Sequence, residues 1–190
     1  DIWCRMQRRV PPVVSEYFRG GADAEITLRA NVRAFQQSFV NAEGATRFEA
    51  VDTSTTVVDQ RIQLPWYITP VGSLRTLYPK AEAVAAKVAG QFGTVMGLST
   101  LSGTPMEEVA EASINSCWFQ LYLCGGRETA LRGIARAKKA GFTALVLTID
   151  TSVSGQRLVH ARMKPLEAMR SWEGLTLHQK LQSLRRIISL

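Results

Sequence analysis

Cysteine and histidine are both scarce in this 190-residue chain, with three and two copies respectively. Cys4, Cys117 and Cys124 have neither metal-ligand nor redox spacing, so they read as thiols of a reducing compartment and not as a disulfide framework. His160 and His178 stand in no catalytic or metal motif, and each reads as a surface or helix-packing residue. No metal site is expected. A Walker loop is absent, and no GxGxxG opens a helix after a strand, which excludes the common phosphate-cradling fingerprints. No apolar run approaches the roughly 20 residues of a membrane-spanning helix, and no secretory leader pattern opens the chain. A cytoplasmic location is therefore expected. Aromatic residues make up 8% of the chain, and none interleave with clustered basic residues. The net charge of +7 then reads as a solvated surface with some preference for anions, and no nucleic-acid partner is expected.

Hydrophobic residues are 46% of the chain and charged residues 21%, enough apolar material for a sizeable core. From residue 64 onward, strand-like and helix-like segments alternate. "LPWYITP" is the first strand candidate. In "KAEAVAAKVAGQF" the residues Ala81, Val84, Ala85, Val88, Ala89 and Phe92 recur with helical spacing, and Gly93 stops the helix. "TVMGLST" is the second strand. Thr104 is placed as an N-cap, with Pro105 in the first turn and Glu107 closing a capping box ahead of "MEEVAEA". "CWFQLYL" is the third strand. "RETALRGIARAKKAG" follows as a helix, with Leu131, Ile134 and Ala135 facing inward and Gly141 as its stop. "ALVLTID" is the fourth strand, and Leu177, Leu181, Leu184 and Ile188 mark an amphipathic helix near the end.

Repeated βα units of this length spell an α/β fold with a parallel sheet covered on both faces. Residues 1–63 differ: helical pieces broken at Gly20-Gly21, then an extended or hairpin lead-in through "DTSTT". The expected division is thus 1–63 as a helical extension with a hairpin, and 64–190 as the βα part.

Side chains alternate along a strand, so Trp118, Gln120 and Tyr122 share one face, as do Val146, Thr148 and Asp150. Burying an amide or a phenol without partners costs on the order of 1–3 kcal/mol, so Gln120 and Tyr122 call for an explanation. Strand one ends in Thr69-Pro70 and strand two in Ser99-Thr100, so each strand acquires polar groups at its carboxyl end. That is where active sites lie in β/α barrels and in doubly wound sheets. A lone Ser or Thr at a strand end is more often structural; Gln120, in mid-strand, is the harder one to dismiss.

Taken in order, "EYFRGGADAEITLRANVRAF", "DTSTT", "LPWYITPVG", "GLSTLS", "EEVAEA", "WFQLYL", "AGFTALVLTIDT" and "GQR" resemble the FMN-dependent α-hydroxy-acid dehydrogenase and oxidase family, which includes glycolate oxidase, lactate oxidase and the flavin lactate dehydrogenases. These pieces run collinearly from residue 16 to 157. The resemblance implies an eight-stranded TIM barrel, of which this chain covers an N-terminal extension and about four βα units. It implies that FMN lies across the C-terminal strand ends. By position, the Pro70, Val71 and Gly72 backbone matches the turn near flavin N5, and Ser99, Gln120 and Thr148 match side chains that bond the flavin ring. Tyr122 matches the active-site tyrosine, while Tyr17 and Arg157 match residues at the substrate carboxylate. The implied reaction oxidises an L-2-hydroxy acid such as lactate or glycolate to the 2-oxo acid, by proton abstraction and hydride transfer to N5. Oxygen, a quinone or another acceptor then takes the electrons, and a homo-oligomer is implied for the full-length protein.

The pattern also departs from the family's. "YPKAE" places Lys80 and Ala81 in the acidic segment after strand one, Val71 replaces a common threonine, and the likeness weakens after Arg157. The family's histidine base, flavin-contacting lysine, second substrate arginine and phosphate-binding glycines belong to later strands, and eight βα units need roughly 200–250 residues. An incomplete chain, inactive by itself and holding FMN only weakly, is the expectation. The alternatives are a non-catalytic half-barrel or split-enzyme subunit acting as a scaffold, and a different phosphate-binding barrel.

Overall fold

The computed structural model describes residues 2–41, 44, 45, 47, 49–151, 153 and 155–158. The expected helix around Leu177–Ile188 and both histidines lie outside them. The chain divides into two compact units, Asp1–Glu49 with Val153–Leu190, and Ala50–Ser152. The lead-in hairpin therefore keeps company with the sheet, not with the helices that precede it.

The first unit carries α1 (Ile2–Gln7), α2 (Pro12–Arg19) and α3 (Ile26–Gln36). Pro12 opens α2, where its missing N–H costs nothing because first-turn amides have no intrahelical partner. The break at Gly20-Gly21 is as the sequence suggests. Gly21 lets the chain turn back onto α3, since a Cβ there would sit 3.0 Å from the Cβ of Leu28.

The second unit opens with an antiparallel hairpin, β1 (Thr55–Val57) and β2 (Gln60–Ile62), so "DTSTT" is part turn and part strand. After it come α4 (Ala81–Gln91), β3 (Gly97–Leu98), α5 (Met106–Ala112), β4 (Trp118–Leu121), α6 (Gly126–Lys139) and β5 (Ala144–Leu147). The three later strands form a parallel sheet in the order β3-β4-β5. "LPWYITP" reduces to one parallel bridge, Ile68 with Met96. Pro70, the next residue in register to bond this neighbour, donates no N–H, so the ladder cannot lengthen past it.

The sheet is buried on both faces at β4. Cys117, Phe119 and Leu121 pack with Ala86, Ala89, Val109, Ala130 and Ala137 on the helix side. Trp118 packs with Ile62 of the hairpin and Val95 on the inner side. Gln60 accepts from the Trp118 indole N–H at 3.1 Å and donates to Ser116 Oγ at 2.8 Å, which holds the hairpin across the N-terminal end of the sheet. The polar residues gather at the opposite end.

Both long helices stop as expected, by the same device. In α4, Thr94 N–H reaches Ala89 O and Gly93 N–H reaches Gly90 O; in α6, Phe142 N–H reaches Ala137 O and Gly141 N–H reaches Lys138 O. Each is a Schellman turn with its glycine at positive φ, +68° for Gly93 and +88° for Gly141.

Three local expectations fail. In α4 the buried face is Glu82, Ala83, Ala86, Ala89 and Gly90, while Val84, Val88 and Phe92 are exposed. Small residues win that face because the backbone comes close: a Cβ on Gly90 would lie 2.9 Å from the amide nitrogen of Ile114. In α6 Ala130 and Ala137 are buried and Ile134 packs on the core, but Leu131 and Ala135 are exposed. The capping box does not form. Thr104 donates instead to the buried Glu82 carboxylate at 2.7 Å, a charge-assisted bond, and Glu107 pairs with Arg136 through two bonds of 2.6 Å.

Gly133 sits in the middle of α6, and a Cβ on it would make ordinary contact with Phe119, 3.7 Å from Cε1. Gly133→Ala should therefore stabilise the chain by about 0.5–1 kcal/mol in denaturant melts, through the reduced entropy of the unfolded chain. The Arg136 guanidinium hydrogen-bonded to Glu107 holds that carboxyl at about 2, against an ordinary 4.5. A depressed folded-state value stabilises above the ordinary value and is lost as pH falls towards the folded one. Wild type should thus lose stability relative to Glu107→Gln as pH falls from 4.5 to about 2, which thermal melts across that window would register.

Candidate functional site

The polar residues converge where the strands end. β4 pairs with β5 through Leu121 and Leu147, and Thr148 N–H continues the ladder to Leu121 O at 3.1 Å. One residue past β3, Ser99 comes level with Gln120. The Gln120 carboxamide, 4% exposed, links all three strand ends: Oε1 accepts from Thr100 N–H at 3.1 Å, and Nε2 donates to Thr148 Oγ1 at 2.8 Å. Its burial is thus compensated within the protein, and burial alone does not require a ligand. One N–H and one lone pair of the amide remain for one.

Thr100 is the residue that sequence reasoning passed over. Its hydroxyl donates to Gln120 O at 2.6 Å and accepts from Tyr122 N–H at 3.0 Å. The available signal was a hydroxyl residue one step beyond a buried strand, with a glutamine on the neighbouring strand.

The turn at Pro70, Val71 and Gly72 is brought against this strand end by glycines. Gly97 faces the Pro70 ring, where a Cβ would meet Cδ at 3.0 Å. A Cβ on Gly72 would lie 3.2 Å from Leu101 Cβ and 3.7 Å from Ser99 Oγ, and Ser73 N–H is bonded to Leu101 O at 2.9 Å. Ser99 is 5% exposed and its oxygen accepts from Leu101 N–H at 3.1 Å. The hydroxyl hydrogens of Ser99 and Thr148 have no acceptor among the described residues. Together with the second Nε2 hydrogen of Gln120, they form a donor-rich edge. A flavin ring, whose pyrimidine side carries carbonyl oxygens and ring nitrogens, fits such an edge chemically.

Tyr122 is half-buried and lines an open cleft of about 390 Å3 with Leu123, Cys124, Thr148, Ile149 and Thr151. A larger cavity of about 460 Å3 is lined by Leu98, Phe119, Leu121 and Gly133 and also by Ser99, Thr100 and Tyr122, but not by Gln120 or Thr148. Cys117, buried ahead of β4, has its thiol pKa pushed up by burial, which makes it a packing group and not a nucleophile.

In the other unit, Tyr17 and Arg157 are brought together. Arg157 Nη1 donates to Tyr17 O at 2.8 Å and to Gly20 O at 2.5 Å, and its guanidinium carbon lies 4.6 Å from the Tyr17 ring centroid. Asp23 N–H bonds Gln156 O at 2.7 Å, which fastens the segment before Arg157 to the glycine turn. The Nε and Nη2 hydrogens of Arg157 meet no acceptor among the described residues, leaving one side of the fork suited to a carboxylate.

A model of the FMN-dependent dehydrogenase family matches residues 6–185. An L-lactate dehydrogenase of Pseudomonas paraeruginosa is 36% identical over 157 residues, covering 83% of this chain and 41% of that protein. An L-lactate dehydrogenase of Acinetobacter baumannii is 35% identical over 181 residues, covering 94% and 47%. The structure of a soluble mutant of the membrane-associated (S)-mandelate dehydrogenase from Pseudomonas putida superposes with a TM-score of 0.78 at 31% identity, over 96% of this chain and 54% of that one. The chain thus spans about half the length of the relatives it matches.

Gln120→Met retains the side-chain length but strips Thr100 N–H and Thr148 of their partner. It should lower stability by about 1–3 kcal/mol in urea titrations, more than the same change at an exposed glutamine such as Gln91.

Proposed function

Because the chain belongs to the FMN-dependent dehydrogenase family, we propose that its strand-end residues bind FMN and that the protein oxidises an L-2-hydroxy acid, lactate- or glycolate-like, to the 2-oxo acid. The observation that carries this reading is the set of hydroxyl and amide donors of Ser99, Gln120 and Thr148, held by protein hydrogen bonds but not exhausted by them. When bound, FMN supplies the acceptor for the substrate's α-hydrogen and its electron pair. The chain's own residues do the positioning. Ser99, Gln120 and Thr148 donate to the ring, and the Pro70, Val71 and Gly72 turn lies beside Ser99 where glycines permit close approach. Tyr122 offers a phenol hydroxyl to the reacting oxygen of the substrate.

Carboxylate recognition is assigned to Arg157 and Tyr17. The ring stacking and the two carbonyl contacts hold the guanidinium plane, so that its remaining N–H groups keep one direction. Orientation of this kind is worth more than charge alone, because a fixed fork loses little entropy when it pairs with a carboxylate. None of the residues assigned a role is a proton-abstracting histidine, and we assign that step to a base outside this set.

FMN titrated into the full chain should give a saturable change in its visible spectrum, and Thr148→Val or Ser99→Ala should weaken the affinity about tenfold, as loss of one ring hydrogen bond does. A wild-type chain that leaves the spectrum untouched at millimolar FMN sinks the reading. Turnover of lactate or glycolate by the chain alone would place the base among its own remaining residues, His160 or His178 included.

A further inference from the structure

Gln120 is an amide, and an amide can face either way unless its neighbours choose. Here the neighbours choose. Oε1 lies 3.1 Å from Thr100 N–H, a group that can only donate. A flipped carboxamide would set NH2 against that N–H, so Nε2 is directed at Thr148 Oγ1, 2.8 Å away. Thr148 Oγ1 accepts this bond, and its own hydrogen must then point to a different acceptor. The Thr100 hydroxyl meanwhile donates to Gln120 O at 2.6 Å and accepts from Tyr122 N–H at 3.0 Å. These are the backbone positions on either side of Leu121, the last residue of β4. Beyond Leu98 the β3–β4 ladder gives way to these side-chain bonds, and a single residue replaces it just where Gln120 and Tyr122 must keep their orientation.

We propose that Thr100 is a positioning residue: its N–H sets the direction of the Gln120 carboxamide, and its hydroxyl holds the backbone that carries Gln120 and Tyr122. The strand end thereby presents donors, from Gln120, Thr148 and Ser99, before any ligand arrives. It selects a ligand edge rich in acceptors, carbonyl oxygens or unprotonated ring nitrogens, over one rich in donors. What this says of FMN rests on the function proposed above; what it says of Gln120 and Tyr122 does not.

The test uses the full chain with Thr100→Val, which keeps shape and loses the hydroxyl, and Thr100→Ser, which keeps the hydroxyl. Amide hydrogen exchange is read at Tyr122 and at α4 amides as a control, and FMN affinity is measured by titration. In Thr100→Val the Tyr122 amide should exchange about tenfold faster with α4 amides unchanged, and FMN should bind about tenfold more weakly. Thr100→Ser should stay within about threefold of wild type in both. Unchanged Tyr122 exchange in Thr100→Val overturns the proposal. So does uniform acceleration of all amides, which would mark a plain stability role. If wild type binds no FMN, the flavin reading fails, while the Tyr122 readout still decides the role of Thr100. Should Thr100→Val not fold, wild type and Thr100→Ser decide: a protected Tyr122 amide in both supports the proposal, and an unprotected one overturns it.

Discussion

Everything in the sheet-bearing unit follows from one constraint: β4 is buried on both faces, so none of its polar groups can turn to bulk water. Trp118, Phe119, Gln120 and Leu121 are all at most 4% exposed. On the helix side the constraint is met with apolar contacts alone. On the inner side it is met differently at the two ends. At the N-terminal end Trp118 closes against Ile62 and Val95, and its indole N–H finds Gln60. At the C-terminal end Gln120 is tied to Thr100 and Thr148. An unpaired amide in that position would cost on the order of 1–3 kcal/mol, so the polar cross-link is a condition of the fold as well as a feature of the site.

That double duty shapes the chemistry available. The bonds that satisfy Gln120 also orient it, and under the proposed function that orientation makes the buried amide a selective binding edge. The same economy recurs at Gly97 and Gly72, where the absence of a side chain lets a proline-containing turn lie against the strand end. It recurs again at Arg157, whose guanidinium braces the glycine turn through two carbonyls while keeping donors in reserve. In each case a structural contact uses part of a polar group's capacity and directs the remainder.

Partners from other elements explain where local rules failed. Thr104 has the right type and position for an N-cap, but the Glu82 carboxylate, fully buried, needs donors more than the first turn of α5 does, and takes both Thr104 Oγ1 and Gly103 N–H. Glu107 had the right spacing for a capping box, but Arg136 of α6 offers a bidentate partner. In α4, alanine appears on both candidate stripes, so hydrophobic spacing could not separate the face that approaches Ile114 from the face bearing Val84, Val88 and Phe92.

The amino-acid order by itself determined the repeat of helix and strand, the glycine stops of α4 and α6, the hairpin lead-in and the gathering of polar residues at strand ends. These are local matters of periodicity, backbone conformation and turn chemistry. Family resemblance added roles for residues such as Tyr17 and Ser99. Only the tertiary structure decided that "LPWYITP" contributes a single bridge, which helix faces are inside, that Gln120 has partners, and that Thr100 and Thr148 supply them. Hydrogen-bond partners twenty or more residues apart depend on strand register and helix approach, and neither is written in the spacing of any one segment.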